Sequence, residues 1–270
     1  MIEEKESIGI ISGGGKFPFL VASAAKKHGL RVVVIAHRGE TDPELKEIVD
    51  NITWVNLGQL GKLISAFKKE GVGKALMAGT ISKDRMFGKV KPDLKGITFI
   101  SRLAIFHDDG LLRAFADQLA KNGIEIVSST QYLPELLAPP GCLTRKKPNR
   151  KEEEDLQFGW KMAKELGRLD IGQCVVVRNR TVLAVEAIEG TDEAILRGGS
   201  IAKEKAVVVK VSKPDQDLRF DVPSVGLDTV NVLSQVRASV LAIEAGKTLI
   251  FDKEEMIEQA DKAGISIVSY

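Results

Sequence analysis

At 270 residues the chain is long enough for two modest domains with ordinary hydrophobic cores. Hydrophobic residues make up 44% and charged residues 28%, but aromatics only 5%, so the cores rest on Val, Ile, Leu and Ala. A net charge of +2, from 39 basic against 37 acidic residues, argues against bulk electrostatic binding of nucleic acid, which needs a focused basic excess.

The first residues, Met1-Ile2-Glu3-Glu4-Lys5-Glu6, are acidic and lack the basic-then-apolar order of a secretion signal. No apolar run approaches the ~20 residues of a spanning helix. A cytoplasmic protein is expected, at most peripheral to a membrane. Cys142 and Cys174 lie in unlike contexts without metal-ligand spacing, and free thiols suit that compartment better than a disulfide.

Along the first half, strand-like and helix-like segments alternate. Ile8-Gly9-Ile10-Ile11 reads as a strand stopped by Gly13-Gly14-Gly15, and a helix through Phe19, Leu20, Val21, Ala24 and Ala25 follows, closed by Gly29. Val32-Val33-Val34-Ile35-Ala36 is the continuous β-branched run of a strand buried on both faces. Another strand is predicted at 53–56, a helix through Leu60, Leu63, Ile64 and Phe67, and a buried strand at 75–79. A helix carrying Leu111, Leu112, Phe115 and Leu119 and a strand at 124–127 complete the pattern. Such alternation implies βαβ units and a parallel, Rossmann-like sheet over residues 1–133.

Residues 134–150 change character, with Pro134, Pro139, Pro140, Gly141 and Pro148, and read as a linker. Its basic run at 145–151 flips to Glu152-Glu153-Glu154-Asp155, which suits a helix start. That basic run is also a candidate for anionic lipid head groups, though such runs are often only solvated. From 151 to 270 an α/β domain with a mixed sheet is predicted. Its elements are a hairpin around Asn179 (174–177 with 182–185), a strand at 206–211, a helix through Val230, Leu233 and Val236, and a final strand-helix-strand over 248–268.

Ser12-Gly13-Gly14-Gly15-Lys16 stands where a strand hands over to a helix, a position at which backbone amides and the helix dipole favour an anion. A tight turn without ligand is the alternative. Pro18 breaks the dinucleotide fingerprint, His37-Arg38 replaces its acidic ribose partner, and Phe17 after Lys16 breaks a Walker loop. A sugar nucleotide held by its diphosphate survives these exclusions. Gly79-Thr80 flanks the same sheet, and Asp108-Asp109 reads either as a ligand for metal or ribose or as a helix cap.

In the second half, the window from Glu186 to Asp192 and the window Lys213-Pro214-Asp215-Gln216-Asp217-Leu218-Arg219-Phe220-Asp221-Val222-Pro223 crowd carboxylates beside strands. Oxygen clusters of this kind suit Mg2+, which also binds substrate phosphates, while Lys213 and Arg219 would meet phosphoryl oxygens. No Ser-His-Asp or Cys-His arrangement is readable, so attack by water is favoured over a covalent intermediate.

The residues 8–15 with Pro18, Ala78-Gly79, Asp108-Asp109-Gly110-Leu111-Leu112-Arg113, 169–173, 184–192 and the 213–226 segment, in that order and spacing, make the chain similar nearly end to end to the LpxI-type UDP-2,3-diacylglucosamine pyrophosphatases of lipid A biosynthesis. The resemblance implies metal-dependent hydrolysis to UMP and 2,3-diacylglucosamine 1-phosphate, with substrate held between two domains. It places the essential aspartate of an Arg-x-Asp-x-Pro context on Asp221. His107, where the family pattern carries glycine, departs from it. Charge and proximity add Asp192 and Asp217 to Asp221 as metal or neighbouring ligands. The substrate-binding set is Gly13, Gly14, Gly15, Lys16, Gly79, Thr80, Asp108, Asp109, Gln173, Thr191, Lys213 and Arg219. Two other readings stay open: hydrolysis of a different sugar nucleotide, and a non-catalytic nucleotide-binding protein.

Overall fold

The computed structural model describes residues 6–82, 92–101, 108–214, 216–220 and 222–270. The chain divides into two compact units, Met1–Pro134 and Glu135–Tyr270.

In the first unit the strands β1 (Ser7–Ser12), β2 (Arg31–His37), β3 (Asn51–Val55), β4 (Lys74–Ala78) and β5 (Glu125–Ile126) form one parallel sheet in the order β3-β2-β1-β4-β5. This is the Rossmann order, which reverses direction beside β1. Val32 to Ala36 in β2 are at most 1% exposed, because helices cover both faces of a parallel sheet. The helices α1 (Phe17–Lys27), α2 (Leu60–Lys69), α3 (Leu94–Ser101) and α4 (Asp108–Ala120) connect the strands. In α2 the buried residues Leu60, Leu63, Ile64 and Phe67 recur at helical spacing and form its core-facing stripe. Full burial of Phe67 alone contributes about 1.5–3 kcal/mol.

The second unit is built on a mixed six-stranded sheet in the order β6-β13-β11-β9-β7-β8. Its parallel centre is β9 (Val207–Lys210), β11 (Val240–Ile243) and β13 (Ser266–Ser269). The hairpin β7 (Cys174–Arg178) and β8 (Thr181–Val185) adds antiparallel to β9. Asn179 (φ 51°) and Arg180 (φ 55°) make its turn, and the Asp155 carboxylate accepts their amides at 2.8 and 2.5 Å. Successive valines of β7 alternate faces. Val175 and Val177 pack with Leu156 and Ala163 of α5 (Arg150–Arg168), whereas Cys174 and Val176 join the core under α6 (Thr191–Ala202), α7 (Leu227–Gln235) and α8 (Lys253–Ala263). Asn149 caps α5 in a capping box with Glu152, so the charge flip does mark a helix start. A separate parallel pair joins β10 (Ser224–Val225) to β12 (Leu249–Ile250).

Two differences from the sequence reading stand out. Strand β11 was not anticipated, although Val240 to Ile243 are fully buried at the middle of the sheet. And residues 135–150, read as part of a linker, lie within the second unit. There β6 (Gly141–Cys142) pairs antiparallel with β13, and Ala138 exchanges backbone hydrogen bonds with Thr248 (2.8 Å) and Gly246 (2.9 Å). Prolines interrupt regular structure locally, yet the open edge of β13 supplies backbone partners that a local reading cannot see. In the basic run, the Lys146 ammonium donates to the Gly264 carbonyl at 2.7 Å. Among the described residues no helix is long and apolar enough to cross a membrane.

Candidate functional site

Each unit gathers polar groups at the carboxyl edge of its parallel strands, the edge at which open α/β sheets take ligands. In the first unit, β1 ends at buried Ser12, whose carbonyl accepts both His37 Nδ1 (2.9 Å) and Thr41 Oγ1 (2.7 Å). A carbonyl only accepts, so Nδ1 carries the proton. Burial pushes the His37 pKa below its ordinary 6.5, against smaller opposing effects of Ser12 and Glu40.

The three glycines that follow have unlike duties. Gly13 N–H donates to Ala78 O (2.8 Å) and Gly14 N–H to Thr80 O (2.7 Å), while Thr80 N–H returns a bond to Gly14 O (3.1 Å). These bonds knit the turn to the end of β4, so two of the amides expected to grip phosphate are taken up within the fold. Gly79, at φ +89°, sits so close that a Cβ there would stand 2.4 Å from Gly14 O. Gly15, at φ +86°, is exposed, and a Cβ there would meet nothing within 4 Å. It lines an open cleft of about 790 Å³ with exposed Lys16 and Arg38 and half-buried Phe19, Glu40 and Trp54. Glu40 stands three residues past the end of β2 and was missed as the acid of this edge. Asp108 and Asp109 open α4.

In the second unit the edge is formed by the ends of β8, β9 and β11 and the entry to β7. Buried Glu186 accepts Gln173 N–H (3.1 Å) and Thr191 Oγ1 (2.8 Å), so the structure brings Gln173 and Thr191 together through a carboxylate. Gln173 Oε1 is buried without a hydrogen-bond partner among the described residues. Cys174 beside them is free, and burial, then Glu186, pushes its thiol pKa far up, which keeps it an inert thiol.

Lys210, at the end of β9, is only 8% exposed, and its ammonium donates to Ser224 O at 2.8 Å, across the span that holds Asp221. Glu244, at the end of β11, accepts Lys164 Nζ (2.6 Å) and Ser212 N–H (2.9 Å) and pairs with Lys247 (2.9 Å). Burial alone would raise its pKa, but these donors together hold it below the ordinary carboxylate value. Sequence reasoning missed both Lys210 and Glu244.

Lys213 pairs with Asp170 at 2.5 Å, and Arg219 holds Asp217 through two nitrogens, Nε at 2.9 Å and Nη2 at 2.6 Å. The Asp217 carboxylate is thereby engaged by a guanidinium, and Asp192 lies exposed in the first turn of α6. Among the described residues no three His, Cys, Asp or Glu side chains stand together as metal ligands. Asp221 and Asp215 lie outside the described residues, as does His107.

Strand order and edge chemistry define an α/β protein of two units, a Rossmann-type one with an open cleft and a mixed-sheet one whose edge concentrates lysines and carboxylates. The family comparisons cover nearly the whole chain. The model of the LpxI N-terminal domain matches residues 7–136 and that of the LpxI C-terminal domain matches residues 139–268. The chain belongs to the LpxI family. It is 32% identical over 272 residues to the UDP-2,3-diacylglucosamine pyrophosphatase LpxI of Caulobacter vibrioides, covering 97% of this chain and 96% of that protein. Among solved structures, the biotin carboxylase subunit of pyruvate carboxylase overlaps 68% of this chain and 36% of its own length, at 13% identity and a TM-score of 0.28. N5-carboxyaminoimidazole ribonucleotide synthetase of Thermotoga maritima overlaps 70% of this chain and 43% of its own, at 13% identity and a TM-score of 0.25.

Proposed function

We propose that this chain hydrolyses the diphosphate of UDP-2,3-diacylglucosamine, releasing UMP and 2,3-diacylglucosamine 1-phosphate for lipid A synthesis. The observation that carries the reading is the near full-length similarity, through both units, to a relative that bears the name of this activity. The edge of the second unit supports it chemically. Water attacks one phosphorus of the anhydride, its oxygen joins that phosphorus, and the bridging oxygen leaves with the other phosphate and takes up a proton. Asp221, in its Arg-x-Asp-x-Pro context, is the group proposed to orient and deprotonate that water. The buried Lys210 ammonium holds the neighbouring backbone through Ser224 O and adds positive charge to the edge where phosphate oxygens would be received.

A divalent cation belongs to the proposal, since it would offset phosphoryl charge when bound. The described residues do not assemble a ligand set for it, and no step is assigned to it. Contact with a membrane surface is proposed only as far as a lipid substrate requires it.

Incubating the full chain with the diacylated substrate and Mg2+ tests the reading. UMP and the sugar 1-phosphate should appear in equal amounts, UDP-GlcNAc should stay intact, and chelation should stop turnover. Equal turnover of UDP-GlcNAc would move the reading to a general sugar-nucleotide pyrophosphatase. UMP binding without hydrolysis under any divalent ion would make the chain a binder.

A further inference from the structure

The cleft beside Gly15 has a composition that a diphosphate alone would not need. Its lining combines the aromatic residues Trp54 and Phe19 with Arg38, Lys16 and Glu40. We propose that this cleft is the subsite for a nucleoside monophosphate, the uridylyl end of the substrate, with Trp54 as the surface on which the base stacks. The inference rests on the diphosphate-hydrolase reading and adds to it which unit, and which residues, receive the nucleoside.

Three observations carry it. The cleft lies where the ends of β1 and β2 and the edge strand β3 meet, and its volume of about 790 Å³ falls within the range of small-molecule sites. Its lining matches a nucleotide part by part. An aromatic face suits a planar base, a carboxylate suits ribose hydroxyls, and a guanidinium and an ammonium suit a phosphate. An acyl chain would call for an apolar lining instead, and this one carries charges of both signs. The frame is also fixed before any ligand arrives. Lys62 Nζ donates to Trp54 O at 2.9 Å, Arg38 N–H donates to Val55 O at 2.9 Å, and His37 and Thr41 anchor the same loop on Ser12 O.

Equilibrium dialysis of the full chain with labelled UMP tests it, with ribose 5-phosphate as the probe that lacks the base. UMP should bind at least about tenfold more tightly than ribose 5-phosphate. Trp54→Ala should lose about tenfold or more of the UMP affinity and raise the KM for the diacylated substrate, while Trp54→Phe restores most of both. If Trp54→Ala does not fold, Arg38→Gln takes its place and should weaken UMP and ribose 5-phosphate alike. Unchanged UMP affinity and KM in the Trp54→Ala and Arg38→Gln proteins would overturn the subsite and leave the hydrolase reading standing. A chain that binds UMP through Trp54 yet releases none from substrate would do the reverse.

Discussion

Replacing Gly79 or Gly15 by alanine separates the two duties of the glycine turn. Both positions have positive φ, +89° and +86°, so each alanine carries a backbone cost of about 1–2 kcal/mol. Only at Gly79 does a steric term follow. Its Cβ would lie 2.4 Å from Gly14 O and 2.9 Å from Gly13 C, and these are backbone atoms that cannot swing away as a side chain would. Relief requires opening the bridge made by Gly13 N–H to Ala78 O, Gly14 N–H to Thr80 O and Thr80 N–H to Gly14 O. At about 1 kcal/mol for each such bond, on top of the backbone cost, Gly79→Ala should cost about 4–5 kcal/mol, a large share of a typical folding free energy. Gly15→Ala should cost no more than about 2 kcal/mol. Urea unfolding followed by Trp54 fluorescence, in a Trp160→Phe background that leaves one indole in the first unit, measures both. Equal losses for the two variants would refute the division of roles.

Three further outcomes follow. Lys210→Met frees Ser224 O from its ammonium and should lower kcat/KM about tenfold or more with little change in melting, which steady-state kinetics beside a thermal scan would show. Glu244→Gln keeps an acceptor for Ser212 N–H but loses the charged partners Lys164 and Lys247. Because the Lys164 side chain is 27% exposed and can turn to water, the loss should stay near 2 kcal/mol by urea unfolding read at Trp160. His37 has a folded pKa below 6.5, so the unfolded chain takes up its proton first as pH falls. The stability it contributes is complete above about pH 6.5 and declines below it, and His37→Asn should flatten that part of the pH profile of unfolding.

Much of the fold was legible because its signals are local. The valine run of β2 announces a strand covered on both faces, Asn179 marks a hairpin turn, and the flip from a basic run to Glu152-Glu153-Glu154-Asp155 marks a helix start. Strand β11 was not legible, since Ala238-Ser239-Val240-Leu241-Ala242-Ile243 follows a helix with no glycine or proline between, and a short apolar run has no decisive period. The 135–150 segment shows its prolines but not its partners, Ser269 and Val268, which lie more than a hundred residues away in sequence.

The site divides in the same way. Gln173 and Thr191 were legible as members of motifs, and Glu186, noted only as one acid of a crowded window, is what joins them. Lys210 and Glu244 look like ordinary ends of apolar stretches. Strand order alone, with β9 and β11 side by side, puts them on one edge. Likewise, three glycines in a row suggest an anion cradle, but only the pairing with Thr80 shows that two of their amides are occupied.

The central claim is that an aspartate in the 213–226 span drives hydrolysis of a UDP-linked anhydride, and the Asp221→Asn protein tests it most directly. Beside a wild-type chain that releases UMP from UDP-2,3-diacylglucosamine, this variant should melt normally and lose about a hundredfold or more of the rate. Wild-type turnover by the folded variant would contradict the account.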